Sequence, residues 1–332
     1  MHEAILATWP YRFMFLFAEP FMKRFLPSFS LLLLCWIPFV RGEEVRGPES
    51  NHPAVTAPAA PGVRALQDIP YVTGGSERQR LDLFLPARSE SPRPLVLWVH
   101  GGAWQAGSKD NCPAKSLVAQ GYIVASIGYR LSQQAPFPAQ IEDCKAAVRW
   151  LRAHAVDYGI DPDRIGAWGA SAGGHLVALL GMTGQLRDFD VGENLDQSSS
   201  VQCVIDWFGP TDFLHYGAPS QRPPEDPNGP FTKLIGGLPS ENMEKVKRCS
   251  PITYVQAKAA PFLIIQGDKD PVVPAQQSEL LNDALQKAGV SSTLRIIPGA
   301  GHGGPLFSSA ENVKAMTDFL NEHLQPSVTA RP

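Results

Sequence analysis

The stretch Ala167–Leu180, AWGASAGGHLVALL, places a serine among small residues, directly after an apolar run and directly before a helical pattern. Within it, Gly169 to Gly173 reads G-x-S-x-G, with Ser171 at the centre. Between a strand and a helix, this pattern predicts a sharp, strained turn that presents the serine hydroxyl, because the glycines avoid collisions with both elements. A tight turn packed with small residues would give the same letters. The flanking strand and helix favour a nucleophilic serine.

A second glycine-containing motif, HGGAW at His100–Trp104, follows the apolar run PLVLWV. Two glycines let the backbone approach a ligand closely and turn its N–H groups towards it. We expect these amides, with the first amide of the helix after Ser171, to stabilise a developing oxyanion. We expect His100 to hold the loop by hydrogen bonding, and Trp104 either to line a substrate pocket or to pack. The predicted oxyanion residues are Gly101, Gly102, Ala103 and Ala172, with Gly102 and Ala103 preferred within the loop.

Two later loops supply an acid and a histidine, in the chain order that accompanies such a serine. Asp270 follows the apolar run FLIIQ, and His302 lies in the glycine-flanked loop GAGHGG after the last predicted strand. Asp268 is the rival acid, but its position beside Gly267 favours a turn-stabilising role. Core or solvated positions are expected for His154, His175, His215 and His323. The predicted catalytic residues are therefore Ser171, Asp270 and His302. No Cys/His cluster has metal-ligand spacing, so neither a metal nor another cofactor is predicted.

From residue 63 onwards, short apolar runs alternate with amphipathic helical patterns. Runs such as PLVLWVH and PFLIIQG are typical of strands covered on both faces, whereas RLDLFLP alternates as an edge strand does. The alternation predicts an α/β fold, with a mostly parallel central sheet and helices on both faces, over residues 63–326. The Pro- and Gly-rich residues 213–250 are expected to form an insertion that partly covers the site. Residues 43–62 are predicted to be a Pro/Ala-rich linker.

The first 42 residues have the order of a secretory signal peptide. A basic pair at residues 23–24 precedes an apolar stretch over residues 25–40, and Gly42 lies near the expected cleavage point. We expect a secreted or periplasmic protein with no stable membrane span after cleavage. An uncleaved anchor is the alternative. Met22 is the better start for such a signal, so a misassigned start codon is a further hypothesis.

Charge restricts the partners of this chain. Its 332 residues include 29 basic and 32 acidic side chains, which gives a formal net charge of −3. No run of basic residues suggests a surface that would bind a phosphate backbone. The charge therefore argues against a nucleic-acid partner and leaves a small-molecule or polymeric substrate.

Four cysteines remain after the predicted signal peptide. An even number in an exported protein permits two disulfides, and the nearest-neighbour pairs are Cys112–Cys144 and Cys203–Cys249. Four buried free thiols are the alternative, because cysteine often behaves as a small apolar residue.

Together, HGGAW, GASAGGH, GDKDPVVP and GAGHG resemble the α/β-hydrolase superfamily, and within it the secreted bacterial carboxylesterases of the feruloyl-esterase and acetylxylan-esterase-like group. The resemblance covers residues 65–325 and assigns the nucleophile, acid and base to the three residues predicted above. It implies hydrolysis of carboxylic esters, including acetyl or feruloyl esters on polysaccharides. The third glycine of the H-G-G-G form is Ala103 here, which keeps the backbone N–H. WFGPTD also resembles the family, and makes Asp212 a further candidate acid.

Two other functions fit parts of this pattern. A serine peptidase of the prolyl-oligopeptidase type shares the order of the triad, but such enzymes normally carry a large propeller domain where this chain has only the predicted linker. A binding protein with a non-catalytic hydrolase fold would not need Ser171, Asp270 and His302 together. We therefore expect a serine hydrolase that cleaves esters through an acyl-enzyme.

Overall fold

One sheet organises the described part of the chain, which is residues 62–87, 91–216 and 225–325 of the computed structural model. Its strands are β1 (Val63–Pro70), β2 (Arg80–Pro86), β3 (Arg93–Val99), β4 (Ile123–Ile127), β5 (Ile160–Ala170), β6 (Cys203–Trp207), β7 (Phe262–Gly267) and β8 (Ser292–Ile297). Their order across the sheet is β1-β2-β4-β3-β5-β6-β7-β8. β2 pairs antiparallel with β1 and β4, and all later neighbours pair parallel. The carboxyl ends of β3 and of β5 to β8 therefore meet at one edge, where ligands bind in such sheets.

Helices cover both faces of this sheet. They are α1 (Ala139–Ala153), α2 (Ala155–Tyr158), α3 (Ala172–Thr183), α4 (Pro230–Ile235), α5 (Met243–Cys249), α6 (Ala275–Lys287) and α7 (Ala310–Leu324). Successive side chains of β3 alternate between two apolar layers, because strand residues point to opposite faces. Leu95 and Leu97 join the layer of α1, α3 and α6, whereas Val96 and Trp98 join the layer of α7. The predicted α/β architecture is confirmed.

The alternating stretch RLDLFLP forms β2, but the prediction that it is an edge strand is wrong. β1 pairs along its outer side, so β2 lies between β1 and β4. The polar residue that creates the alternation, Asp82, is buried and forms an ion pair with Lys109 at 2.8 Å. A buried carboxylate with a cationic partner is indistinguishable from a solvent-facing one in the sequence pattern.

The predicted disulfides Cys112–Cys144 and Cys203–Cys249 are absent from the described structure, where all four cysteines are buried and free. The physical reason is that each predicted pair is divided by the sheet. Cys112 and Cys203 belong to the α7 layer, whereas Cys144 and Cys249 belong to the opposite layer. A disulfide requires Cα atoms within about 7 Å, which two thiols on opposite faces of a sheet do not achieve.

We expect these four cysteines to react as thiols once the chain is unfolded. Alkylation with iodoacetamide in denaturant, with no reductant present, should modify all four, because none is consumed by a disulfide. Peptide mapping by mass spectrometry measures the extent of modification at each cysteine. A reductant added beforehand should not increase it, and a cross-linked peptide containing Cys112–Cys144 or Cys203–Cys249 would contradict the expectation.

The described part of the predicted insertion, residues 213–216 and 225–250, contains α4 and α5. Phe213 stacks on Phe231 of α4 at a ring-centroid distance of 4.1 Å. The Tyr216 hydroxyl donates a hydrogen bond to the Val272 carbonyl at 2.8 Å, in the loop after β7. The insertion thus lies against a loop that carries a predicted site residue, and its role as a partial cover stays a prediction.

The predicted signal peptide and all but the last residue of the predicted linker lie outside the described residues. Of the helices that the structure describes, none combines the length and apolarity needed to cross a bilayer.

Candidate active site

Ser171 lies on the turn between β5 and α3, at the carboxyl edge of the sheet. Its backbone has φ 57° and ψ −120°, a conformation that costs an L-residue free energy and that marks strained functional turns. A Cβ atom on Gly169 would collide with the Gly173 carbonyl, and one on Gly173 would collide with the Val99 carbonyl. The two glycines of G-x-S-x-G are therefore required by the closeness of backbone to backbone, as the sequence predicts.

His302 joins the two other predicted catalytic side chains. Its Nε2 lies 2.9 Å from Ser171 Oγ, and its Nδ1 lies 2.7 Å from Asp270 Oδ2. His302 is in the loop after β8 and is partly exposed, whereas Asp270 follows β7 and its side chain is fully buried. Three residues that are far apart in the chain thus form one continuous hydrogen-bonded series. The arrangement can move a proton from the serine hydroxyl to an imidazole that a carboxylate orients.

Asp270 is held by donors that fix both carboxylate oxygens. Oδ1 accepts hydrogen bonds from the backbone N–H groups of Val272 and Val273, at 2.8 and 2.9 Å. Oδ2 accepts from Gln266 Nε2 at 3.1 Å, and Ser278 Oγ donates to the other end of that amide at 3.0 Å. The sequence analysis did not identify Gln266. Its signal was a single polar residue in the otherwise apolar strand FLIIQG.

The rival acids have other partners. Asp268 Oδ1 accepts a hydrogen bond from the Gly299 N–H at 2.6 Å, which is the turn-stabilising role predicted for it. Asp212 Oδ2 lies 2.9 Å from Nδ1 of His215, and its Oδ1 accepts from two backbone amides of the same turn. In the described structure the carboxylate that lies against His302 is that of Asp270.

The four histidines for which the sequence predicts core or solvated positions, all in the described residues, lie in the core or at the solvated surface. His175 is fully buried in α3, and His154 ends α1 with its ring stacked on Trp150. His215 is mostly exposed beside Asp212, and His323 lies in the last turn of α7.

The predicted oxyanion loop approaches the serine turn closely. A Cβ atom on Gly101 would lie 2.8 Å from the Ala170 carbonyl oxygen, so the backbone approach requires glycine here. Gly102 and Ala103 have φ of 115° and 51°, in the left-handed region. The Gly102 carbonyl accepts hydrogen bonds from the N–H groups of Gln105 and Ala106, which closes the turn. Ala172 is the first residue of α3, where amide N–H groups have no acceptor within the helix.

The buried side chains of His100 and Trp104 attach this loop to the rest of the protein. His100 Nδ1 lies 2.7 Å from the Gly101 carbonyl oxygen, and the ring stacks on Tyr129, as expected of a residue that holds the loop. Burial lowers the pKa of His100 to about 4, so the ring is neutral near pH 7. Of the two roles predicted for Trp104, the structure shows packing: its side chain is 5% exposed and its indole donates to His175 Nδ1 at 3.1 Å.

A buried carboxylate that the sequence analysis missed lies beneath the serine turn. Asp206 is a residue of β6, and its side chain reaches the first turn of α3. A Cβ atom on Gly174 would collide with its Oδ1. That oxygen accepts a hydrogen bond from the Gly209 N–H at 2.9 Å. Burial raises the pKa of Asp206 to about 7. The closeness of this carboxyl to the helix explains the second glycine of the sequence AGGH.

No group of three or more His, Cys, Asp or Glu side chains in the described ranges is arranged to hold a metal ion. The site that the described residues form consists of a serine, an imidazole, a carboxylate and backbone amides. Such a set can perform nucleophilic attack on a carbonyl and stabilise the resulting oxyanion.

Solved structures of esterases have the same fold as this chain. A structure titled as a truncated form of a carbohydrate esterase from gut microbiota superposes with a TM-score of 0.76 and is 34% identical, over 82% of this chain and 100% of that one. A thermophilic esterase of Thermogutta terrifontis, with butyrate bound, has a TM-score of 0.65 and is 27% identical, over 80% and 96% of the two chains. The chain therefore has the α/β-hydrolase fold.

Sequence comparisons agree with the structural ones. Esterase LipQ of Mycobacterium tuberculosis is 33% identical over 285 residues, which are 81% of this chain and 65% of LipQ. The chain thus spans less than two thirds of the length of that relative. The sequence pattern of the BD-FAE family matches residues 81–285, which include the serine turn and Asp270. On this match and on the shared fold, the chain belongs to the BD-FAE family.

Proposed function

We propose that this protein is a carboxylic ester hydrolase that uses Ser171 as its nucleophile. The observation that carries the proposal is the continuous series from Ser171 Oγ through His302 to Asp270, with contacts of 2.9 and 2.7 Å. His302 Nε2 takes the hydroxyl proton as Oγ attacks the ester carbonyl carbon. Asp270 accepts from Nδ1–H, which holds the tautomer whose Nε2 is free to act as a base and stabilises the imidazolium that forms.

The oxyanion that develops on the carbonyl oxygen lies between the loop after β3 and the start of α3. We assign its donors to the backbone N–H groups of Gly102, Ala103 and Ala172, with Gly101 providing the close approach. When the tetrahedral intermediate collapses, His302 returns the proton to the departing alkoxide. A water molecule, activated by the same imidazole, then attacks the acyl-enzyme and releases the acid, which regenerates Ser171.

For the substrate, we propose esters carried by carbohydrates, with acetyl or feruloyl as the acyl group. The support is the 34% identity to a structure titled as a carbohydrate esterase, over all of that chain. We further propose that the protein is exported, on the basic and apolar pattern of residues 23–42. Secretion would bring the enzyme to polymeric substrates that do not enter a cell.

The proposal is tested by active-site labelling together with a substrate panel. A fluorophosphonate should modify Ser171 and no other serine, as read by mass spectrometry of the adduct. The protein should hydrolyse p-nitrophenyl acetate, and comparison of methyl ferulate, acetylated xylan and a peptide amide identifies the preferred acyl and leaving groups. Labelling at another residue, or none, contradicts the mechanism. Faster turnover of the amide than of the esters would favour the peptidase alternative. N-terminal sequencing of the exported protein tests the cleavage near Gly42.

A further inference from the structure

His175 connects three parts of the molecule that meet beneath the serine turn. It lies in the first turn of α3, where its backbone N–H donates to the Ser171 carbonyl at 2.9 Å. Its Nδ1 lies 3.1 Å from the indole Nε1 of Trp104, in the predicted oxyanion loop. Its Nε2 lies 2.7 Å from the carbonyl oxygen of Cys249, at the end of α5. One fully buried side chain thus contacts the nucleophile's helix, the oxyanion loop and the insertion.

The chemistry of these partners determines the tautomer of His175. A carbonyl oxygen only accepts hydrogen bonds, so Nε2 carries the proton that it donates to Cys249. An indole nitrogen only donates, so Nδ1 must be the unprotonated nitrogen that accepts from Trp104. An imidazolium would place one N–H group against another. Burial lowers the pKa of His175 to about 4, so the neutral ring that this geometry requires persists at neutral pH.

The oxyanion loop needs such an attachment because its backbone is strained. Three successive residues, Gly102, Ala103 and Trp104, have φ of 115°, 51° and 58°. For the two non-glycine residues this conformation is unfavourable, and it persists only where surrounding contacts over-determine it. The Trp104 side chain supplies those contacts through its hydrogen bond to His175 and its edge-to-face packing on Phe213.

We propose that His175 is a positioning residue that sets the distance between the Ser171 hydroxyl and the amides of Gly102 and Ala103. It does so by accepting the hydrogen bond of the Trp104 indole, from the same helical turn whose backbone N–H at His175 donates to the Ser171 carbonyl. The hydrogen bond to the Cys249 carbonyl prevents the imidazole ring from rotating. The packing of α5 therefore contributes to the geometry of the oxyanion donors. This inference rests on the proposed function, and it adds a residue that does not itself touch the substrate.

The first test removes the indole donor and keeps an aromatic ring. Trp104→Phe should lower kcat for p-nitrophenyl acetate about 100-fold, because a displaced donor loses contact with the transition-state oxyanion. KM should stay within about threefold, since the oxyanion does not exist in the ground state. The matched control is Trp98→Phe. Trp98 is 4% exposed and its indole also makes one hydrogen bond, to the Asn111 carbonyl at 2.9 Å, but it lies in the opposite apolar layer.

A purely structural role would lower the melting temperature in both tryptophan variants and leave their kcat alike. Positioning predicts that only Trp104→Phe lowers kcat, while Trp98→Phe stays within about twofold of the unmodified protein. It also predicts that phenylboronic acid, whose tetrahedral serine adduct needs the same donors, binds Trp104→Phe weaker by a factor similar to the loss in kcat/KM. Equal kcat in the two variants, or unchanged boronate affinity in Trp104→Phe, would overturn the inference.

A double-mutant cycle identifies His175 as the partner. His175→Leu and Trp104→Phe remove the same hydrogen bond, so kcat of the double variant should match that of His175→Leu alone. Additive losses would refute a shared role. If His175→Leu does not fold, ¹⁵N NMR of the unmodified protein still tests the inference, because the His175 ring must show a protonated Nε2 and an unprotonated Nδ1. That measurement needs no activity. A protein that neither hydrolyses esters nor binds the boronate would instead refute the proposed function.

Discussion

Replacing Ser171 with alanine is expected to lower kcat for p-nitrophenyl acetate by about 10⁶-fold, because the attacking oxygen is lost and His302 no longer has a hydroxyl to activate. The oxyanion donors and the substrate contacts remain, so some acceleration over water should persist. The variant should also lose fluorophosphonate labelling. Rates are measured under single-turnover conditions with purified protein. A variant that keeps more than about a hundredth of the activity would show that Ser171 is not the nucleophile.

The same position allows a second measurement that separates function from folding. Ser171 has φ 57° and ψ −120°, which glycine adopts without the steric cost that a Cβ atom brings. Ser171→Gly should therefore be as inactive as Ser171→Ala but have a larger free energy of unfolding, by about 1–2 kcal/mol. Denaturant titration of the two variants measures this difference. An equal or lower stability of Ser171→Gly would mean that the strain at this residue does not exceed the about 0.5–1 kcal/mol by which the freedom of glycine favours the unfolded chain.

Asp270→Asn is expected to lower kcat by about 10⁴-fold, although the side chain keeps its size. In this structure the reason is the fixed direction of the donors. The backbone N–H groups of Val272 and Val273 donate to Oδ1, so the amide oxygen of asparagine must take that position. The amide NH₂ then faces His302 Nδ1, which must accept. The proton moves to Nε2, and His302 can no longer take the proton of Ser171.

The control for this variant is Asp268→Asn, the same substitution two residues earlier in the same loop. Asp268 accepts one hydrogen bond, from the Gly299 N–H, and an asparagine oxygen can replace that acceptor. The kcat of Asp268→Asn should stay within about threefold of the kcat of the unmodified protein. If both variants lose activity equally, the loss reflects the loop and not the tautomer of His302, and the assignment of Asp270 as the orienting acid would fail.

The three side chains that the structure brings together could be selected from the sequence because each of them stands next to a clear local signal. Ser171 has its two glycines, and Asp270 and His302 follow apolar runs that end in Gly-containing loops. In a parallel sheet the carboxyl ends of such runs meet at one edge, so local positions imply spatial proximity. Trp104 was left with two possible roles, because an aromatic residue beside a site looks the same in sequence whether it lines a pocket or packs.

Other contacts had no local signal. The hydrogen bond between Trp104 and His175 joins residues 71 positions apart, and that between His175 and Cys249 joins residues 74 apart. Gln266 donates a hydrogen bond to Asp270 from within β7. In the sequence it is recognisable only as one polar residue in an apolar run. Such pairings depend on which helix covers which face of the sheet. The nearest-neighbour disulfides were wrong for the same reason.

By itself, the sequence determined the α/β architecture, the strand-end positions of the catalytic candidates and the need for glycine around Ser171. These properties depend on hydropathy periods and on the steric size of single residues, which are local. Only the tertiary structure decided the interior position of β2, the separation of the cysteines by the sheet and the attachment of the oxyanion loop to α3 through His175. Each of these depends on contacts between residues distant in the chain, which the order of strands and the assignment of helices to faces create.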